Sequence, residues 1–150
     1  MTDATPDAGV FVGREHRLPV RVYYEDTDFT GVVYHANYAR YFERGRSDFL
    51  RAAGVDHSAL LALDDPCAFT LTRLSIDFLA AARIDDALTV CTRYDEIRGA
   101  RLVIRQAVRR GEIALARAEV EAVCIRPGGG ARRPPAALVA RLRPLLAPGG

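Results

Sequence analysis

Apolar and polar residues alternate along four segments in the second half of the chain, and a period of two residues predicts β-strands. The segments are 67–78, 88–94, 101–108 and 113–125. The alternation shifts frame near Arg73, which predicts a β-bulge at that position. An earlier alternation, which begins at Leu18, predicts one more strand before residue 25.

The segment between these strands has the period of an α-helix, predicted over 36–53 with Gly54 as its C-terminal stop. Its apolar and small residues recur every three or four positions. They are Tyr38, Tyr41, Phe42, Gly45, Phe49 and Ala52. A glycine inside a helix costs about 1 kcal/mol relative to alanine, so Gly45 indicates close packing against a neighbouring element.

One strand, a long helix and then four strands predict an α+β domain with a mainly antiparallel sheet. We expect residues 1–15 to form a mobile leader and 16–126 to form the domain. Residues 127–150 are expected to form a linker and a short C-terminal helix, over about 136–143. One long helix covers only one face of a sheet, so the remaining apolar positions predict a homo-oligomer.

The composition excludes several kinds of chemistry. The 150 residues carry a net charge of only +2, spread along the chain, so nucleic acid is not an expected partner. All 21 basic residues are arginine, which excludes a lysine nucleophile or Schiff base. No apolar run approaches the roughly 20 residues of a membrane span, so no transmembrane segment is expected.

The three cysteines, Cys67, Cys91 and Cys124, lie far apart and form no C-x-x-C motif. Their spacing and odd number match neither a disulfide framework nor a zinc site. Each lies in an apolar, strand-like stretch, where cysteine most often acts as a small buried hydrophobic residue. We therefore expect reduced cysteines and a cytoplasmic protein.

The densest polar signal is the acidic loop Glu25-Asp26-Thr27-Asp28, just before the helix. Its spacing imitates the start of an EF-hand, but the twelfth position is Asn37 and not the required glutamate. No metal site is therefore predicted. A solvated acidic turn explains such a cluster about half the time, because turns favour aspartate and threonine.

The position of this loop favours a catalytic role. A helix start offers free N–H groups and a positive dipole end, which can polarise a carbonyl group or hold an oxyanion. Asp28 would then act as base or nucleophile, amides near Tyr34 and His35 would bind the carbonyl oxygen, and His35 would orient water or the leaving group. The alternative is that His35 only caps the helix. His57 follows Asp56 and precedes Ser58, but catalytic triads meet through space and not as sequence neighbours.

Three short motifs resemble one known family. They are VRVYYEDTD at 20–28, GVVYHANY at 31–38 and FER at 42–44. Together they resemble the YbgC-type acyl-CoA thioesterases, in the 4-hydroxybenzoyl-CoA thioesterase group of hotdog-fold proteins. The resemblance continues through ARIDD at 82–86, Arg98-Gly99 and Gln106, and it fades after Ile125.

The resemblance implies a hotdog fold, an antiparallel sheet wrapped around one long helix, in dimers or tetramers that need no cofactor. It implies hydrolysis of an acyl-CoA thioester, with Asp28 as the catalytic carboxylate and His35 as the family's histidine. The polarising amide falls at Tyr34 or His35, while Gly31 and Arg98-Gly99 match regions that hold the substrate.

Several alternatives stay open. Short- to medium-chain aliphatic acyl-CoA is the favoured substrate, an aryl-CoA is the second candidate, and a non-catalytic module that binds acyl-CoA or acyl carrier protein is the third. The family often has two glycines where this chain has Thr30-Gly31, and a proline where it has Ala81. The resemblance also suggests a link to the Tol–Pal envelope system and peripheral contact with the inner membrane.

Overall fold

A computed structural model describes residues 4–149, which form an α+β domain as predicted. The strands are β1 (Val10–Val12), β2 (Glu15–Arg21), β3 (Ala68–Phe78), β4 (Ala87–Arg98), β5 (Arg101–Arg110) and β6 (Ile113–Ile125). The helices are α1 (His35–Ala52), α2 (His57–Leu61) and α3 (Ala136–Leu142). Short 3₁₀ turns cover Tyr24–Asp26 and Arg143–Leu145.

The six strands form one antiparallel sheet in the order β1-β2-β4-β5-β6-β3. The pairing of β3 with β6 shifts between Leu71 and Arg73, so the bulge predicted near Arg73 is confirmed. Strand β3 is the last in this order and most of its residues are exposed. The sheet therefore ends on a long strand whose outer edge pairs with no other described strand of this chain.

Helix α1 supplies the aromatic centre of the core. Its buried residues include Tyr38, Tyr41, Phe42 and Phe49, which pack with the apolar residues of the sheet. Strand β6 faces them with a small-residue row, in which Ala116, Ala118 and Ala122 are buried along one face. Small side chains on the sheet let the bulky helix lie close to it.

Gly45 marks the closest approach of the helix to the sheet. A Cβ atom at this position would lie 2.7 Å from both Thr92 Oγ1 and Val90 Cγ1. Directly beside it, the Gln106 side chain donates through Nε2 to the Phe42 carbonyl at 2.8 Å and to Thr92 Oγ1 at 2.9 Å. The prediction from the mid-helix glycine is confirmed.

The sheet begins earlier than the predicted leader allows. Strand β1 lies inside residues 1–15, and the Phe11 ring packs 5.0 Å from the ring of Phe49. His16 is fully buried, and its Nε2 lies 2.7 Å from the Ala8 carbonyl oxygen. The expectation of a mobile leader is wrong for Val10–Val12, which form a strand. A three-residue strand is too short to show an alternating pattern, so the sequence does not predict it. Residues 1–3 of the expected leader lie outside the described part.

The C-terminal helix has the predicted position within one residue, and it packs against the domain. Leu138 and Leu142 of α3 are buried in the same core cluster as α1. The stretch 127–135 connects β6 to this helix. The helix is therefore a part of the domain's packing.

The expectation of unpaired cysteines is wrong for two of the three. Cys67 and Cys124 form a disulfide, with Cα atoms 6.3 Å apart and both side chains fully buried. They meet because β3 pairs with β6, which places Phe69 opposite Cys124. A separation of 57 residues in sequence gives no sign of this contact. Cys91 is free and buried, as predicted.

We expect Gly45→Ala to lower the free energy of unfolding by up to about 2 kcal/mol. The added methyl group must displace Thr92 and Val90, a cost of about 1–3 kcal/mol that exceeds the roughly 1 kcal/mol gained in helix propensity. Urea unfolding followed by circular dichroism measures the change. Arg40→Ala, on the exposed face of the same helix, is the control and should change stability by less than about 0.5 kcal/mol. A more stable Gly45→Ala protein would contradict the close packing.

Candidate active site

The loop between β2 and α1 is fixed to the start of the helix by Asp26. The Asp26 carbonyl oxygen accepts hydrogen bonds from the Tyr34 amide at 3.0 Å and from Asn37 Nδ2 at 2.7 Å. Its carboxylate accepts the Tyr23 amide at 2.8 Å. Asp26 is therefore occupied in holding the loop, which leaves Asp28 as the carboxylate available for chemistry.

Asp28 lies at a tight turn that Gly31 closes. The Gly31 amide donates to the Asp28 carbonyl at 3.1 Å, and Gly31 has a φ of 86°, which favours glycine. Asp28 Oδ1 accepts the Thr30 amide at 2.8 Å and the Thr30 hydroxyl at 2.5 Å. The Val32 backbone also acts on this carboxylate, which is half-exposed and can therefore meet a substrate or a water molecule.

The hydrogen bond from the Thr30 hydroxyl, helped by the Thr30 amide, holds the pKa of Asp28 below its usual value. The charge of His35 acts in the same direction, so the two groups lie within electrostatic range of each other. Hydrogen bonds to a carboxylate stabilise its charged form. Asp28 is therefore an anion at neutral pH, held in one orientation by Thr30.

The start of α1 provides two free amides. The Tyr34 amide is occupied by Asp26, and the Asn37 amide donates to the Tyr34 carbonyl at 2.8 Å. Within the described residues, the amides of His35 and Ala36 have no acceptor. The polarising N–H was expected at Tyr34 or His35; the Tyr34 amide is already hydrogen-bonded, so the expectation now rests on the His35 amide and stays a prediction.

His35 is exposed at the first position of α1, and its ring packs on neighbouring aromatic residues. Its centroid lies 4.4 Å from that of Tyr34 and 6.4 Å from that of Phe78 in β3. Its imidazole makes no hydrogen bond with any described residue, and the helix has no side-chain cap. The capping alternative for His35 is therefore not what the geometry shows.

Exposed aromatic residues, here called the aromatic rim, surround this end of the helix. The rim consists of Tyr24, Phe29, Tyr34 and Phe78. Tyr24 is 84% exposed and Phe29 is 103% exposed, values far above those of ordinary surface aromatics in a packed domain. The site is thus open on the side that the rim faces.

The structure does not bring Arg98 and Gly99 to Asp28 within one chain. They form the turn between β4 and β5, where Gly99 has a φ of 60° and Arg98 pairs with Glu96. The acidic loop before α1 adjoins the other end of β4, about 36 Å away along a strand that rises about 3.3 Å per residue. Any role of Arg98 toward this loop would require a second copy of the chain.

The segment 82–86 supports the loop, a role that the sequence motif did not reveal. The Val33 amide donates to the Ala82 carbonyl at 2.8 Å, and the Ala82 amide donates to the Tyr38 hydroxyl at 3.1 Å. Arg83 forms an isolated antiparallel β-bridge with Val32, and its side chain is exposed. The Arg83 amide donates to Asp86 Oδ2 at 2.9 Å, whereas in the described part of the chain its guanidinium has no carboxylate oxygen within 4.0 Å. The guanidinium is therefore a cation beside the site that sequence reasoning missed.

Two kinds of site are absent from residues 4–149. No cluster of three or more His, Cys, Asp or Glu residues has the geometry to hold a metal ion. No helix in that range is long and apolar enough to cross a bilayer.

The profile of the thioesterase superfamily (4HBT) matches residues 30–117, more than half of the chain. This chain belongs to the thioesterase superfamily. The prediction of a thiolester hydrolase is thereby confirmed at the level of the family. The match begins two residues after Asp28, so the role of that carboxylate depends on the geometry described above.

Individual proteins agree with this assignment. The chain is 43% identical over 108 residues to the acyl-CoA thioesterase YbgC of Haemophilus influenzae, covering 72% of this chain and 79% of that protein. It resembles the crystal structure of a probable thioesterase from Bartonella henselae with a TM-score of 0.78 and 41% identity, covering 81% and 99% of the two chains.

A third similarity extends to an enzyme with an aromatic substrate. The structure of a 1,4-dihydroxy-2-naphthoyl-CoA thioesterase from Synechocystis matches with a TM-score of 0.78 and 25% identity, covering 86% of this chain and 96% of that one. The two structural matches and the observed sheet around α1 confirm the hotdog fold.

We expect Thr30→Ala to move the acidic limb of the pH profile of kcat/KM to higher pH. The ionised carboxylate is the active form above the pKa of Asp28, and activity is lost as the pH falls through that pKa. Removal of the Thr30 hydroxyl raises the pKa and brings this loss closer to neutrality. Rates of thiol release measured from pH 3.5 to about 8 test the shift.

Thr30→Ser keeps the hydroxyl and is the matched control, which should retain the wild-type limb. Identical limbs for Thr30→Ala and Thr30→Ser would show that Asp28 does not govern the acidic side of the profile.

Proposed function

We propose that this protein hydrolyses acyl-CoA thioesters to a free acid and coenzyme A. One observation carries the proposal: an ionised, half-exposed Asp28 lies in the loop that leads into the unoccupied amides of His35 and Ala36. A carboxylate beside preorganised N–H donors suits attack on an activated carbonyl group. The 43% identity to an acyl-CoA thioesterase supports the same reaction.

The helix start would stabilise the transition state. The thioester carbonyl oxygen accepts hydrogen bonds from the His35 and Ala36 amides, and the negative charge that develops on it is favoured by the positive end of the α1 dipole. Removal of one such donor typically costs about 10²–10³ in kcat. Because the amides belong to the backbone, they need no reorganisation during the reaction.

Asp28 can act in two ways. As a general base, it takes a proton from water while the water oxygen attacks the carbonyl carbon, after which the C–S bond breaks and coenzyme A leaves as the thiolate. As a nucleophile, its carboxylate displaces the thiolate to form an anhydride, which water then hydrolyses. In both routes His35 would orient the water molecule or protonate the leaving sulfur.

The favoured substrates are short- to medium-chain aliphatic acyl-CoA esters. The 43% identical relative is named an acyl-CoA thioesterase, whereas the aryl-CoA thioesterase from Synechocystis shares only 25% identity. The aryl-CoA alternative draws its support from that similarity and from the aromatic rim. A non-catalytic binding module has no use for a clamped, ionised carboxylate at this place.

The working unit is proposed to be a homodimer or homotetramer. Strand β3 ends the sheet with one edge unpaired by any described residue, and it exposes Leu71, Leu74 and Phe78. An exposed apolar edge strand is a template for pairing with another strand. A second copy would also cover the aromatic rim and exclude water from the site, and it is the only source from which Arg98 and Gly99 could reach the substrate.

The sequence resemblance implies a cytoplasmic location. It also implies links to acyl carrier protein, the Tol–Pal system or the inner membrane, and all of these stay predictions.

The positions of two arginine residues suggest where the phosphate groups of coenzyme A would bind. Arg83 beside the loop, and Arg98 from a second copy, carry the planar donors that bind phosphate groups in pairs of hydrogen bonds.

We expect Asp28→Asn to lower the release of coenzyme A from octanoyl-CoA by at least about 100-fold, because the neutral amide neither accepts a proton nor attacks the carbonyl carbon. Asp26→Asn removes a carboxylate two residues away and is the control; its effect should be on loop stability, with a smaller loss of kcat. Thiol detection with a series of aliphatic and aromatic CoA esters measures both variants. Wild-type turnover by Asp28→Asn would refute the assignment.

We expect Leu74→Glu to convert the oligomer to a smaller species, since a charge on the exposed edge strand opposes pairing. Light scattering coupled to size-exclusion chromatography measures the mass. Ile113→Glu is the matched control, because Ile113 is more exposed, at 59%, but lies at the turn between β5 and β6. Equal masses for the two variants and the wild type would exclude β3 as the interface.

A further inference from the structure

The segment 81–86, which leads into β4, is fixed to the sheet by one ion pair. Arg110, the last residue of β5, donates through one NH group to Asp86 Oδ2 at 2.8 Å and to the Ala81 carbonyl oxygen at 3.2 Å. Asp86 Oδ2 also accepts the Arg83 amide at 2.9 Å. One guanidinium and one carboxylate thus hold both ends of the segment.

The carboxylate of this pair is an anion at neutral pH. The hydrogen bond from the Arg83 amide, helped by the one from Arg110, holds the pKa of Asp86 below its usual value. The side chains of Arg110 and Asp86 are 39% and 24% exposed. An ion pair this exposed contributes little to overall stability, so its main effect is on the position of the segment.

The backbone of the same turn is joined to the end of β2. Asp85 has a φ of 68°, a left-handed conformation that few residues other than glycine adopt. Its amide donates to the Val22 carbonyl at 2.9 Å, and the Val22 amide donates to the Asp86 carbonyl at 2.9 Å. The Asp85 carbonyl accepts Arg21 at 2.9 Å. The turn is therefore held by β2 through its backbone and by β5 through Arg110.

The segment in turn holds the acidic loop. The Val33 amide donates to the Ala82 carbonyl at 2.8 Å, and Val32 forms a β-bridge with Arg83. The same stretch pairs with the loop, since the Val32 carbonyl accepts the Asp28 amide at 2.9 Å. Three short backbone segments are thus hydrogen-bonded side by side: 27–28, 32–33 and 82–83.

The start of α1 depends on the same segment. The Ala82 amide donates to the Tyr38 hydroxyl at 3.1 Å, and both residues are buried. Val33 precedes the free amides of His35 and Ala36 along the chain, and Tyr38 follows them. A displacement of Ala82 would therefore move the backbone on both sides of these amides.

We infer that Asp86 and Arg110 are positioning residues for the candidate active site. Their ion pair holds the segment 81–86 so that Asp28 and the free amides of α1 keep their relative positions. The inference rests on the thioesterase function proposed above, and it adds two residues that act through the backbone. A displacement of about 1 Å can cost about 10² in rate, so a pair with little effect on stability can have a large effect on turnover.

Hydrolysis of octanoyl-CoA by Arg110→Met tests the positioning role. We expect kcat to fall by about 10- to 100-fold while KM stays within about twofold of the wild type, because the reacting groups lose their alignment. Arg105→Met is the matched control. Arg105 lies in the same strand and pairs with Asp95 at 3.0 Å, at a distance from the acidic loop, so this variant should keep the wild-type kcat.

Two further variants separate the ion pair from other effects. Arg110→Lys keeps a positively charged donor and should recover part of the lost kcat. Asp86→Ala should lower kcat at least as much as Arg110→Met, and the double variant should be no slower than Asp86→Ala alone, because both changes remove one ion pair. Thermal midpoints within about 4 °C of the wild type are expected. Arg110→Lys keeps the test valid where Arg110→Met does not fold.

Amide hydrogen exchange, followed by nuclear magnetic resonance, measures the same link without turnover. The Val33 amide should exchange faster in Arg110→Met than in the wild type. The Cys124 amide, which donates to the Ala100 carbonyl at the far end of β4, is the internal control and should not change. Faster exchange at Val33 supports the positioning link even where the wild type cleaves no thioester.

Four results would overturn the inference. They are an unchanged kcat in Arg110→Met, equal losses in Arg110→Met and Arg105→Met, a double variant whose loss is the product of the two single losses, and unchanged exchange at Val33. Unchanged exchange together with normal wild-type turnover would remove the positioning role and leave the thioesterase proposal intact.

Discussion

The close contact between α1 and the sheet at Gly45 is the constraint on which the remaining structure depends. Because Gly45 has no side chain, the helix can approach β4 and β5 until the Gln106 side chain reaches the Phe42 carbonyl. A polar side chain buried in this position must be hydrogen-bonded, and Gln106 satisfies its donors on Phe42 and Thr92 while its oxygen accepts Arg46. One contact thus fixes the depth of the helix and also gives the Arg46 guanidinium an acceptor in Gln106.

The same fixed helix determines what its first turn can do. Asp26 joins the loop to the helix by accepting Tyr34 and Asn37, and this use of the Tyr34 amide leaves the next two amides without acceptors. Unpaired N–H groups at the start of a helix cost little free energy where water or a substrate can hydrogen-bond to them. Asp28 is held separately, by Thr30, so the carboxylate and the amides are positioned by different contacts in one short loop.

The sequence was sufficient for features with a local period or a dense motif. The long helix, five of the six strands, the bulge near Arg73 and the α+β class follow from spacing alone, and the family follows from the motifs around Asp28 and His35. It was insufficient where distant segments meet. The pairing of Cys67 with Cys124 depends on the register of β3 against β6, and the separation of Arg98 from the loop depends on the length of β4. The role of the Tyr34 amide depends on a single backbone hydrogen bond, which cannot be inferred from the side chains in the sequence.

The exposed surfaces link the proposed oligomer to the chemistry of the candidate active site. The aromatic rim lies where α1 begins, its Phe78 belongs to β3, and β3 is the strand whose outer edge no described residue pairs. A second copy paired along that edge would cover the rim, exclude water from the reacting carbonyl group and strengthen each hydrogen bond made to that group. In a lone chain the amides of His35 and Ala36 would be hydrated, and their stabilisation of the developing negative charge would be weaker even though every residue of the site remained in place.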